Sequence, residues 1–135
     1  MQHDDFIGQV QSRARLSSRG DAERATRAVL ETLGERIPEG LADNLAAPLP
    51  QEIGEHLRRT EVYAGYGSGE RFDRQDFINR VAQRASVREQ QAAYLTRAVT
   101  EVVGEATQGH LMGKVAESLP DDIRDLVTAG TNGKS

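Results

Sequence analysis

The stretch DDFIGQVQSRAR, beginning at Asp4, returns as QDFINRVAQRAS, beginning at Gln75. Asp5, Phe6, Ile7, Val10, Arg13 and Ala14 recur as Asp76, Phe77, Ile78, Val81, Arg84 and Ala85. With one residue dropped in the next turn, TRAVLETLGE from Thr26 falls on TRAVTEVVGE from Thr96. LADNLAAPLPQEIGEHL from Leu41 then falls in register on LMGKVAESLPDDIRDLV from Leu111. Identities at matched spacing with a single gap point to a duplicated unit. Such a unit buries its apolar face against its neighbour. Alone, a unit of roughly 55 residues would bury too little surface to be more than marginal.

The period within each unit is helical. Phe6, Ile7, Val10 and Ala14 share one face at 3.6 residues per turn, and Phe77, Ile78, Val81 and Ala85 repeat that face. Ala22, Ala25, Val29 and Leu33 form a second stripe, echoed by Ala92, Leu95, Val99 and Val103. Leu41 and Leu45 are echoed by Leu111 and Val115, and Ile53 and Leu57 by Ile123 and Val127. Runs that alternate apolar and polar residues, as strands do, are absent. The expectation is an all-α fold of two tandem, similar four-helix units packed with approximate pseudo-twofold symmetry. Phe6, Ile7, Val10, Val29, Leu33, Leu45 and Ile53 should be core, with Phe77, Ile78, Val81, Val99, Val103, Val115 and Ile123.

Local signals mark the helix ends. Asp73 reads as an N-cap with Asp76 at the third helical position, and Phe72 can pack on Phe77 as a hydrophobic staple. Ser18 and Ser86 each open a capping-box pattern. Pro50 and Pro120 suit the first position of a fourth helix, where the missing N–H costs nothing, and the third helix should end near Leu49 or Leu119. Gly65, Gly67 and Gly69 with Ser68 predict a flexible connection. The expected organisation is repeat 1 over 1–60, a Gly-rich linker over 61–72, repeat 2 over 73–128, and a disordered tail over 129–135.

The combination D-F-I-x-x-V, T-R-A-V-x-E-x-x-G-E and L-P-x-x-I, each present twice, resembles the domain of unknown function 2267 family of prokaryotic proteins. The resemblance runs from about Asp4 to Val127. It implies an all-helical two-repeat fold without an assigned activity, and it brings no catalytic residues with it. The chain departs from the family pattern at Pro48, where a glutamine is expected, and carries Ala106 opposite Arg36.

Composition narrows the function classes. The chain has no cysteine, which removes disulfides, zinc–thiolate sites and thiol nucleophiles. A net charge of −4 gives no global attraction to nucleic acid or to an anionic membrane. No apolar run approaches a membrane span, and the N-terminus lacks a basic region followed by an apolar one, so the expected location is cytoplasmic. The cations are almost all arginine; Lys114 and Lys134 are the only lysines.

His3, His56 and His110 show no ligand spacing, so neither a metal nor another cofactor is expected. Asp4–Asp5 and Asp121–Asp122 stand at helix starts, where negative charge complements the helix dipole. GYGSGE lacks both the lysine and the preceding strand of a phosphate loop.

The charged positions that recur are more informative. Arg27, Glu31 and Glu35 stand four apart on one helix face, and Arg97, Glu101 and Glu105 repeat them. Arg13 and Arg84 also recur, and each is expected to bridge to the second helix of its own unit: Arg13 to Glu31, Arg84 to Glu101. The alternative for these arginines is a pair of ligand sites. Tyr63 and Tyr66 flank the glycines and suit either a recognition surface or the seam between units. The candidate interaction residues are therefore Arg13, Arg27, Arg84, Arg97, Tyr63 and Tyr66.

The leading expectation is a non-enzymatic helical interaction or scaffold module with a protein partner, and a homo-oligomer is compatible with it. A second reading is nucleic-acid binding through the basic stretch Arg13–Arg27, which the acidic balance of the whole chain disfavours. A third is an enzyme with a site at the repeat interface. No membrane association is expected. Positions that fail to recur, including Pro48 against Ser118 and His56 against Leu126, are where features specific to this chain should lie.

Overall fold

A computed structural model describes residues 1–63, 72–107 and 109–128. Among these residues the chain is all-α, with eight helices and no strand. They are α1 (His3–Arg13), α2 (Arg19–Arg36), α3 (Glu39–Ala46), α4 (Gln51–Tyr63), α5 (Arg74–Ala85), α6 (Glu89–Ala106), α7 (Gly109–Glu117) and α8 (Asp121–Thr128). No helix among the described residues is long and apolar enough to cross a membrane. The glycine stretch Gly65–Gly69, Tyr66 and the tail from residue 129 lie outside the described residues. Helix α4 continues through Tyr63, past the expected end of repeat 1 at residue 60.

The core follows the two stripes. All fourteen predicted core residues are buried, and the buried apolar residues of α1 to α8 form one continuous cluster. Helices α2 and α6 are its spine. Helix α2 packs on α1, α4, α5 and α6, and α6 packs on α1, α2, α5, α7 and α8. Thus α1 lies against both α2 and α6, and α5 against both α6 and α2. The threonines buried in the two spine helices do not disturb the core. Thr26, Thr32, Thr96 and Thr100 each donate to the carbonyl one turn back, at 2.8–2.9 Å. Close approach of α4 to α2 requires Gly34, where a Cβ would overlap the Leu57 carbonyl.

Most helix ends form as their sequences imply. Ser18 accepts from the Asp21 N–H at 3.1 Å and Asp73 from the Asp76 N–H at 2.9 Å, so both are N-caps. The Phe72 and Phe77 rings lie 6.2 Å apart, completing the staple. Pro50 and Pro120 stand one residue earlier than expected. Their carbonyls accept the first bonds of α4 and α8, Gly54 N–H to Pro50 O at 2.9 Å and Arg124 N–H to Pro120 O at 3.0 Å.

Ser86 is the clear exception. It does not open α6 but closes α5, with φ 58° in the left-handed region, and Arg88 precedes α6 without a side-chain cap. The reason is visible at the matched position, where Arg15 has φ 54°. At both ends the next residue donates six back to one, Leu16 N–H to Gln11 O and Val87 N–H to Ala82 O, each at 3.0 Å. An inner bond accompanies each, Arg15 N–H to Ser12 O and Ser86 N–H to Gln83 O, both at 3.3 Å. This is the Schellman arrangement, and it places Leu16 and Val87 against the core.

Candidate functional site

Arg13 and Arg84 both bridge to glutamates of a second helix, but not of the helix expected. Arg13 on α1 reaches α6, with Nη2 2.6 Å from Glu105 and Nη1 3.4 Å from Glu101. Arg84 on α5 reaches α2, with Nη2 2.6 Å from Glu35 Oε2, Nη1 3.0 Å from Glu35 Oε1, and Nε 3.9 Å from Glu31. The expected pairs Arg13–Glu31 and Arg84–Glu101 are therefore replaced by pairs between the two halves of the chain. The packing of α1 on α6 and of α5 on α2 is the cause.

Around Glu35 the bridge grows into a cluster. Arg80 Nη1 donates to Glu35 at 2.9 Å, and its guanidinium lies 3.8 Å from the centre of the Phe72 ring. Arg84 Nη1 also donates to the Thr32 hydroxyl at 2.9 Å, and Arg36 Nε to the Phe72 carbonyl at 2.9 Å. Burial alone would raise the Glu35 carboxyl above its ordinary range. Hydrogen bonds from Arg84 and Arg80, with their charges, outweigh that and hold it below. From the sequence Arg84 is expected at Glu101, and Glu35 stands only in the recurring Arg27–Glu31–Glu35 face; Arg80, Arg36 and Phe72 do not recur. Arg36 faces Ala106 in the alignment, and that mismatch was the available signal.

The remaining candidates separate. Arg27 is exposed, and Arg97 is half-buried with its Nε sealed from solvent and without a hydrogen-bond partner. The Tyr63 side chain, like Tyr66, lies outside the described residues. Three arginines of the basic stretch are paired with carboxylates. Arg13 is held in the bridge to α6, Arg19 pairs with Asp4 at 2.6 Å, and Arg24 lies 4.0 Å from Asp21.

Arg27 opens instead onto a cleft of about 590 Å³ between the start of α1, the first half of α2 and the first half of α4. Ile7, Ile53 and Thr26 line its floor. Arg24 and Arg27, with Glu23, stand on the α2 wall; Glu52, Glu55 and His56 stand on the α4 wall; His3 closes one end. Sequence spacing alone could not gather these residues, because they come from three helices. The mismatch of His56 against Leu126 was the one pointer to it. Among the described residues no group of three or more histidines and carboxylates is arranged to hold a metal ion.

No curated protein matches the chain. The family described as "Uncharacterized conserved protein (DUF2267)" matches residues 3–126. That span holds the recurring motifs, both Arg–Glu bridges and the cleft, and the chain belongs to this family.

Proposed function

We propose that the chain is a non-enzymatic helical scaffold or interaction module, built from two similar four-helix units related by approximate twofold symmetry. The observation that carries the reading is the crossed bridging. Two of the arginines that recur are spent on recurring glutamates, Arg13 with Glu105 and Arg84 with Glu35, and so fasten one half to the other. Two ligand sites at these arginines would need their guanidinium groups free. Replacing both Arg13 and Arg84 with alanine should lower the melting temperature and leave any partner interaction of the folded protein intact.

The interaction itself is tested by affinity capture from native lysate, comparing wild type with a variant altered at Tyr63 and Tyr66. Capture of the same protein by wild type, weakened in the variant, supports the module. Enrichment of nothing by either form removes the reading's main support.

A further inference from the structure

The recurrence in the sequence supplies an internal comparison for the cleft. Its floor recurs: Ile7, Thr26 and Ile53 match Ile78, Thr96 and Ile123. Its polar rim recurs in part: Arg27, Glu52 and Glu55 match Arg97, Asp122 and Asp125, whereas His3, Arg24 and His56 match Arg74, Tyr94 and Leu126.

In the second half the chain itself bridges the matching place. Arg74 donates from Nη1 to the Asp122 carbonyl at 2.8 Å, and its backbone N–H to the Asp122 carboxylate at 3.2 Å. Asp122 is the match of Glu52. Leu126 adds fully buried apolar bulk where the first half has His56.

In the first half that bridge is missing. The shorter His3 lies 3.5 Å from its neighbour Asp4. Glu52 and Glu55 stay exposed on the α4 wall and Arg24 and Arg27 on the α2 wall. Glu52 and Glu55 pair with neither Arg24 nor Arg27; the bridge that Arg24 makes is to Asp21 on its own helix. Carboxylates and guanidinium groups thus face one cleft without meeting across it.

We infer that this cleft binds a small zwitterion, an amino acid with a cationic side chain. Its guanidinium or ammonium group sits against the exposed carboxylates of Glu52 and Glu55; at the matching place Arg74 donates its guanidinium to the Asp122 carbonyl and its backbone N–H to the Asp122 carboxylate. Its carboxylate sits in the forks of Arg27 and Arg24, whose planar donors match a carboxylate edge. The cleft volume of about 590 Å³ is that of a small-molecule site, and its apolar floor holds the methylene chain. This site goes beyond the scaffold reading, and its failure would leave the crossed bridges untouched.

The test is a calorimetric or NMR titration of the full chain with L-arginine. Saturable binding is expected, with agmatine, which lacks the carboxylate, and citrulline, which lacks the cation, each weaker by about tenfold or more. Arg27→Ala and Glu52→Gln should each cost about tenfold in affinity. Both alter exposed side chains, so melting temperatures should stay at the wild-type value and separate lost binding from lost folding. No saturable response to L-arginine up to about 10 mM overturns the inference. So does binding that agmatine and citrulline match, or that Arg27→Ala and Glu52→Gln leave unchanged in folded protein.

Discussion

Where α5 meets α2, Arg84 grips a carboxylate whose side chain is 12% exposed; where α1 meets α6, Arg13 grips one that is 52% exposed. The arginines are nearly equal in exposure, 30% and 27%, and the shortest bridge is 2.6 Å in both. What differs is the surroundings. Beside Glu35 stand Arg80, stacked on Phe72, and the Thr32 hydroxyl. The matching positions beside Glu105 hold Gln9, Met1 and Val102. Met1 is exposed, and Arg13 is instead met through its backbone carbonyl by the Tyr94 hydroxyl at 2.8 Å. The same pair of residue types is therefore a buried, multiply hydrogen-bonded cluster on one seam and a surface bridge on the other. A charge pair gains little in water, and loss of one partner is costly only where the other is left without solvent.

The largest consequence is a difference between two equivalent truncations. Glu35→Ala removes the carboxylate that Arg84 and Arg80 share in a mostly buried site and should cost about 3 kcal/mol, the low end for breaking a buried pair because Arg84 keeps some solvent and its contacts to Thr32 and Glu31. Glu105→Ala should cost less than about 1 kcal/mol. Urea denaturation with an unchanged m-value measures both. Equal losses would mean that burial does not distinguish the seams.

Acid should erase the Glu35 contribution. The folded-state pKa of Glu35 lies below the ordinary value of 4.5, so folding favours the ionised form. Its stabilisation is complete above the ordinary value and is lost as pH falls through the lower, folded value. The stability gap between wild type and Glu35→Gln should thus stay level from neutral pH down to about 5, then shrink on further acidification. A gap that instead widened in acid would contradict the direction of the shift.

How much of this was legible in the sequence depends on which signal carried it. The apolar period of Phe6, Ile7 and Val10 and its return at Phe77 reported buried faces, because burial obeys helix geometry locally. The recurring Arg13 and Arg84 announced a repeated bridge to second-helix glutamates, expected at Glu31 and Glu101. Their partner choice was not legible, since whether α1 docks on α2's glutamates or on those of α6 is decided by tertiary packing. Ser86 misled for a related reason: a serine before an acidic residue fits an N-cap, yet the same residue at a helix C-terminus can turn the chain in the left-handed region. The cleft was nearly invisible, because α1, α2 and α4 contribute its walls from separate stretches. Only the mismatch at His56 hinted at it.

The left-handed turns give a smaller test, in which the two halves should behave alike. Arg15 and Ser86 hold matched positions with φ of 54° and 58°, both outside the comfortable range of a side chain with a Cβ. Glycine removes that penalty but adds unfolded-state entropy, so Arg15→Gly and Ser86→Gly should each stabilise by about 0.5 kcal/mol. Thermal melts of the two variants should shift upward by similar amounts. A rise at one and a fall at the other would show that the turns are not equivalent.

The smallest expected effect isolates what makes the α2–α5 seam strong. Gln9 matches Arg80 and is exposed on α1. Gln9→Arg therefore supplies the α1–α6 seam with a second arginine near Glu105 but with neither the Phe72 ring nor burial. If burial and stacking give the Glu35 cluster its strength, the added charge should contribute no more than about 0.3 kcal/mol and should lose even that as salt screens it. If the number of arginines were decisive, the variant would gain about 1 kcal/mol or more and Glu105→Ala would become costly in its background. A double-mutant cycle of Gln9→Arg with Glu105→Ala separates the two outcomes. The expected coupling near zero would place the difference between the seams in Phe72 and the solvent it excludes, not in the charges that both seams share.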